Sequence, residues 1–391
     1  MKKTLFLFLA ACLLCGQGKA FTLSPEAEIS LLTCSPGNEL YSLFGHTAIR
    51  VKDPAARFDR VFNYGTFDFD TPHFYLKYAR GLLPYQLSHT DYRYFLHAYR
   101  EEGRSVYEQR LRLDSLQKQR LLDILIENYR PENRSYLYNF LFDNCTTRSR
   151  DVILQSLTDT VDWHAPQPVK NFWNLLDEYL FISPWVQWGI HTILGQGGNR
   201  TATAMEAMFL PDYLMSGLER ATLHDAPLAE PPAILSLAPA RHPQTRWYLL
   251  PAALFTAGFL LTLLLLRITR SRTLFRGIAA TLFLFSGLVG CLIVFLGAFT
   301  AHPITAPNWN ILWANPLNLL MLPFIWRRTV PPFVLLYFKA YIGILAVALP
   351  AWLICRPAVP MASLVLIVWM IFTGLLLLAE KTAGKTHKKT T

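Results

Sequence analysis

Cysteine is scarce in this chain. There are six in 391 residues, and four of them (Cys12, Cys15, Cys291 and Cys355) fall in or beside apolar runs, where a thiol packs as a small hydrophobe. Only Cys34 and Cys145 remain in the polar part, enough for at most one disulfide. No close His/Cys/Asp/Glu spacing resembles a zinc or iron motif, so no metal site is expected, and no cofactor either. There is no glycine-rich phosphate loop: Gly195-Gln196-Gly197-Gly198 follows a Trp-rich segment and reads as a turn. Internal repeats and low-complexity domains are also missing. The most telling shortage is of acid near the C-terminus. Residues 247–391 carry 12 Lys+Arg against the single acid Glu380, a net of +11, whereas residues 21–246 carry 22 against 26, a net of −4. The overall +10 is therefore no phosphate-tracking face, and nucleic-acid binding is excluded as the reading.

The basic residues sit in short loops between five apolar stretches, at 247–266, 277–299, 309–326, 333–354 and 361–379. A spanning helix needs about 20 mostly apolar residues. Four stretches meet that length; the third is short and interrupted by Asn315, Pro316 and Asn318. Arg267, Arg270, Arg272 and Arg276 follow the first stretch, Arg327 and Arg328 the third, and Lys381, Lys385, Lys388 and Lys389 the fifth. The intervening loops hold only Arg356. Five crossings with the basic loops inside place residues 21–246 outside the cytoplasm and leave 381–391 as a basic cytoplasmic tail. The N-terminus agrees. Lys2 and Lys3 precede the apolar Leu5 to Leu14, and Gly18-Lys19-Ala20 offers a cleavage site, so residues 1–20 read as a secretory signal peptide. Leu9-Ala10-Ala11-Cys12 also looks like a lipobox, disfavoured by the apolar Leu13-Leu14 that follows.

The exported part reads as one α+β domain over 21–225. Glu28 to Leu32, Thr47 to Val51 and the alternating Val61 to Phe69 are strand-like. Asp114 to Asn128 has helical spacing, with Asp114 as N-cap and Leu116, Leu121, Leu122, Leu125 and Ile126 assigned to one face. Tyr136 to Phe142 is apolar and aromatic, and Thr146 to Leu157 is helical with Val152, Ile153 and Leu157 inside. The stretch 226–246 is rich in Pro and Ala without periodicity and reads as a linker into the membrane part, 247–380.

Two segments carry chemistry. His46 opens a strand-like run, and Cys145 stands where an aromatic run gives way to a helix. Free N–H groups at a helix start favour a thiolate, and an imidazole nearby adds a charge partner and a proton acceptor. Asn144 and the helix-start amides are candidates for an oxyanion hole. Asn63, Tyr64 and Asp68, on the next strand, are candidates to orient the His46 ring. Each residue alone has a plainer reading. A histidine after Phe-Gly is often just a satisfied packing residue, an Asn-Cys pair at a strand end often packs, and Cys34 with Cys145 could form a disulfide. In the membrane part, His302, Asn308, Asn310 and Asn315 are candidates to hold lipid head groups, because polar groups at membrane depth line cavities or carry function.

At these residues the chain resembles a known family. The segments FGHTAIRV (44–51), VFNYGTFDFD (61–70), YEQRLRL (107–113), NYRPENRSYLYNFLFDNCTTRSRD (128–151), MFLPDYL (208–214) and HPITAPNWNILWANPLNLL (302–320) together resemble the Bacteroidota lipoprotein N-acyltransferases called Lnb. The resemblance implies an inner-membrane, multi-pass enzyme with a periplasmic catalytic domain. It implies a phospholipid acyl donor and a diacylglyceryl-cysteine lipoprotein whose α-amino group accepts the chain, with the family's histidine and cysteine at His46 and Cys145. The order His then Cys, with Asn before Cys, is also similar to permuted papain-like (NlpC/P60-like) folds such as the lecithin–retinol acyltransferase group. A membrane-anchored papain-like cell-wall peptidase or amidase, and a non-catalytic membrane-tethered binding module, are the alternatives. Five membrane stretches weigh against the peptidase, since a wall substrate requires only one anchor.

Overall fold

The computed structural model describes residues 21–164, 170–239, 246–327, 329–355 and 359–386. The leader at 1–20, with its cleavage site and Cys12, lies outside the described residues, as does the end of the basic tail. The N-terminal part is rich in sheet and the C-terminal part is helical. In chain order the first part comprises strands β1 (Glu28–Cys34), β2 (His46–Asp53) and β3 (Phe58–Thr66), helix α1 (Phe74–Ala79), β4 (Pro84–Asp91), α2 (Tyr92–Glu101), β5 (Val106–Arg110), α3 (Ser115–Tyr129) and β6 (Ser135–Leu137). There follow α4 (Cys145–Ser156), α5 (Phe172–Leu180), α6 (Pro184–Ile193), α7 (Pro211–Arg220), β7 (Thr222–Leu223), β8 (Ala226–Pro227) and β9 (Ala233–Ser236).

Seven strands form one antiparallel sheet in the order β6-β4-β3-β2-β1-β5-β9. Alternation along the strands gives it two apolar faces, as a period of two requires. Ile29, Leu31, Ile49, Val51 and Phe62 pack with Leu121, Leu122 and Leu125 of α3 and Val152 and Ile153 of α4. Leu32, Cys34, Ala48 and Val61 pack with Phe95 and Leu96 of α2. The predicted strands and both helices stand where expected, except that β3 starts earlier and ends at Thr66, so Phe67 to Phe69 lie beyond it; Asp114 closes a capping box on Gln117.

Two expectations for the N-terminal part need correction. Leu116 and Ile126 are 70% and 42% exposed: at about 100° per residue Leu116 stands opposite Leu125 on the α3 helix and Ile126 falls at the edge of the buried face. The 226–246 stretch is more than a linker: β9 adds an edge strand to β5, with Tyr107 opposite Ile234.

The C-terminal part has four helices long and apolar enough to cross a membrane among the described residues. They are α8 (Pro251–Thr269), α9 (Arg272–Phe299), α11 (Pro332–Cys355) and α12 (Met361–Thr386); between α9 and α11 lies the short α10 (Leu317–Ile325). The expected third helix is not a spanning helix. Nine residues rise only about 14 Å, and a 3₁₀ turn at Trp309–Leu312 precedes them. The chain nevertheless travels from one end of α9 to the other. Ala306 packs by Gly297 and Ala314 by Gly290, and the Trp326 carbonyl accepts from Arg276. Arg276 also pairs with Glu380, and Lys381 donates to the Ile325 and Arg327 carbonyls. The basic ends of α9, α10 and α12 thus meet on one side, and the sheet domain lies at the other.

The irregular stretch satisfies its polar groups internally, as backbone at membrane depth must. Asn318 donates to Ser286 (2.7 Å) and Tyr341 (3.2 Å) and accepts from Tyr337 (2.6 Å), while Tyr341 donates to the Trp313 carbonyl (2.5 Å).

Candidate active site

The start of β2 and the start of α4 meet at His46 and Cys145. Gly45 makes the approach to β2 possible: its φ is +82°, and a Cβ there would lie 2.7 Å from the Cys34 carbonyl oxygen. His46, the first residue of β2, pairs in register with Cys34 across the β1–β2 ladder. Its Nε2 lies 3.3 Å from Asn63 Oδ1. Asn63 therefore accepts, Nε2 carries the proton, and Nδ1 is left as the basic nitrogen. The ring stacks near Tyr99, with centroids 6.3 Å apart and planes 14° from parallel.

Asn144 caps α4. Its Oδ1 accepts from the N–H groups of Thr146 and Thr147, both at 2.9 Å, and the Thr147 hydroxyl closes the capping box on the Asn144 N–H. Its Nδ2 donates to the carbonyls of Phe140 (2.9 Å) and Phe209 (2.8 Å). Both ends of this side chain are committed, so Asn144 positions the helix start rather than facing an oxyanion. Cys145 is the first helical residue, its own N–H outside that cap. It is 8% exposed.

Burial pushes the Cys145 thiol up, but the charge of His46 and its hydrogen bond outweigh burial, helped by the Thr47 N–H and the Thr146 hydroxyl, and bring the pKa down to about 7. Thr146 Oγ1 is 3.8 Å from the sulfur and 3.1 Å from Thr47 Oγ1, which ties helix to strand.

Of the three proposed ring orienters, only Asn63 reaches His46. Tyr64 is buried on the other face of β3 and its hydroxyl accepts from Asn128 (2.8 Å). Asp68 lies in the turn after β3, where it accepts from the Asp70 N–H (2.9 Å).

The membrane candidates bond to residues other than His46 and Cys145. Asn308 donates to the Thr192 and Ile193 carbonyls (3.0 and 3.1 Å), and Asn310, fully buried, donates to Asn308 and accepts from Trp313. These two asparagines join the segment between α9 and α10 to α6, and their amides bond to protein groups. Asn315 accepts from the Leu317 N–H, and His302 Nε2 is 3.1 Å from the Ala79 carbonyl.

Sequence reasoning missed a tyrosine pair. The Tyr136 hydroxyl is buried with no hydrogen-bond partner among the described residues, an arrangement that calls for an explanation in any folded protein. A Cβ on Gly65 would lie 3.5 Å from Cys145 Cβ and 4.0 Å from that hydroxyl. Burial first, then the neighbouring Cys145, pushes the Tyr136 phenol up, so it stays a donor. Tyr138 stacks on Tyr85 at 4.3 Å. The clue was in the sequence: tyrosines two apart in an extended run face one way.

No curated protein and no solved structure matches the chain. Two family models do: residues 20–177 match the Lnb N-terminal periplasmic domain, and residues 243–382 match the Lnb transmembrane domain. Together they cover about three quarters of the sequence, including both His46 and Cys145. The chain is a multi-pass membrane protein with a periplasmic domain, and it belongs to the Lnb family.

Proposed function

We propose that the protein is a lipoprotein N-acyltransferase of the inner membrane. It moves an acyl chain from a phospholipid to the α-amino group of a diacylglyceryl-cysteine lipoprotein through a thioester on Cys145. The observation that carries this reading is the Cys145 thiol at a helix start, held near pKa 7 by His46, in a chain with membrane-spanning helices.

In the first half-reaction the Cys145 sulfur attacks the ester carbonyl of the lipid. An S–C bond forms, and His46 Nδ1 holds the thiol proton. The Cys145 N–H and the Tyr136 hydroxyl donate to the developing oxyanion. As the ester C–O bond breaks, His46 returns the proton to the departing lysophospholipid oxygen. In the second half-reaction the lipoprotein amine attacks the thioester. A C–N bond forms, the C–S bond breaks, and His46 takes the amine proton and restores the thiol. Asn63 keeps the ring in one tautomer throughout. The domain itself we read as permuted papain-like: histidine on a strand precedes, in sequence, a cysteine at the start of a helix laid over an antiparallel sheet.

The test is purified full-length protein with labelled phospholipid and no acceptor. Label should appear on Cys145, be released by neutral hydroxylamine, and pass to an added lipoprotein, with lysophospholipid as co-product. Lipoprotein acylated at a normal rate without label ever reaching Cys145 would make the transfer direct. Altered muropeptides in place of lysophospholipid would turn the reading to the peptidase.

A further inference from the structure

Helix α1 buries none of its residues. Six residues are too few for a helix to hold itself together in water, so something outside the protein core must favour it. Tyr75 is 82% exposed, Leu76 57% and Tyr78 48%, and Phe69 in the preceding turn is 71% exposed. Contiguous exposed apolar surface of this kind marks an interaction site.

Its position says what covers it. The carbonyl of Arg80, just after the helix, accepts from the Ala301 N–H at 2.9 Å, and the Ala79 carbonyl is bonded by His302. Those two residues lie just past Thr300, the C-cap of α9, whose last residue Phe299 is 63% exposed. The helix is therefore tied to the periplasmic end of a membrane span. Trp185, Trp247 and Tyr248, also exposed, lie together where α6 meets the start of the first membrane helix, the level at which aromatic belts sit. Lys77 and Arg80 supply the positive charge that interfacial helices direct at phosphate head groups.

From this patch a run of aromatic rings leads inward. Phe69 and Phe74 (4.9 Å apart) both touch Phe67, Phe67 meets Tyr85 at 5.3 Å, and Tyr85 stacks on Tyr138 at 4.3 Å. Tyr138 and Cys145 both lie against Gly65.

We infer that α1 dips into the outer leaflet of the bilayer and is the entrance through which a lipid acyl chain slides along the Phe67–Tyr85–Tyr138 rings to Cys145. Immersion of the helix stands on its own geometry; delivery of the chain to Cys145 rests on the acyl-transfer reading.

The test uses the full-length chain in nanodiscs of phosphatidylethanolamine and phosphatidylglycerol bearing a click-taggable acyl chain. A photo-crosslinking benzophenone residue replaces Tyr75, or Tyr94 as control. Tyr94 is 70% exposed but follows β4, seven residues and roughly 24 Å of strand from the membrane end. Lipid should crosslink at 75 about tenfold or more above 94, the ratio that about 1.4 kcal/mol of preference gives. Equal yields overturn the immersion. In a second arm, Phe67→Ala should slow acylation of Cys145 by bilayer lipid about tenfold while leaving its alkylation by water-soluble iodoacetamide within about twofold. Unchanged acylation overturns the path. Crosslinking at 75 with no acylation of Cys145 even in the native chain would leave the immersion standing and remove the acyl-transfer reading, and the delivery path with it.

Discussion

Cys34 and Cys145 are both buried and both free, and they flank the same histidine, yet they have opposite chemistry. Cys34 lies fully buried on β1 beside Tyr99 and Arg104; burial raises its thiol far above the usual range, and Arg104 only partly opposes this. Cys145 is nearly as buried, but it stands at a capped helix start with an imidazole within hydrogen-bonding reach, and its thiol falls to about 7. The difference teaches that enclosure by itself disarms a thiol. A directed set of donors and a charge partner arms it.

The largest effect that would sharpen this contrast is loss of the base. His46→Ala should slow thioester formation on Cys145 by about a hundred- to ten-thousand-fold, whereas Cys34→Ala should keep activity with the protein folded. A Cys34→Ala protein that is folded but inert would break the comparison, because the two thiols would then act together. Next comes the oxyanion donor. Tyr136→Phe removes one hydroxyl and should cost about a hundred- to a thousand-fold in the rate of acylation, read from single-turnover labelling, with protein level unchanged. Wild-type rates would assign the orphaned hydroxyl a role elsewhere.

The pH dependence tests the pKa assignment directly. The Cys145 thiol is lowered, so its thiolate is present above about pH 7 and is lost as pH falls through that value. Iodoacetamide labelling of Cys145 should drop about tenfold per unit below the pKa and level off above it. Cys34 should stay slow across the same range; a shared profile would erase the distinction. The smallest effect is structural. Asn144→Ala removes a helix cap and should lower stability by about 1 kcal/mol, seen as an earlier thermal transition in detergent, and should also raise the pH at which Cys145 labels.

Much of the fold was legible because the signals are local. The 2-residue alternation of β2 and β3, the Asp114 cap and the Cys145 helix start all depend on neighbours a few positions away. Among site residues, His46 and Cys145 could be picked out by type and context, and Asn63 was one of three options the sequence could not rank. Alternation put Asn63 and Tyr64 on opposite faces, but which face holds His46 depends on how β2 and β3 pair, a matter of register between strands. Asn308 and Asn310 misled for the same reason. Their polarity in an apolar stretch was visible, but the Thr192 and Ile193 carbonyls that receive Asn308 lie over a hundred residues earlier.

By itself the sequence determined the exported domain, the membrane part and its orientation, because hydropathy and the placement of Lys and Arg act residue by residue. It also determined that a thiol would stand at a helix start. Only the tertiary structure decided that Cys145 and not Cys34 shares a hydrogen bond with His46, that Asn63 holds the ring, and that α1 is fastened to the end of a membrane helix. Each of those depends on contacts between segments far apart in the chain, where the free energy resides in packing and register rather than in any local preference.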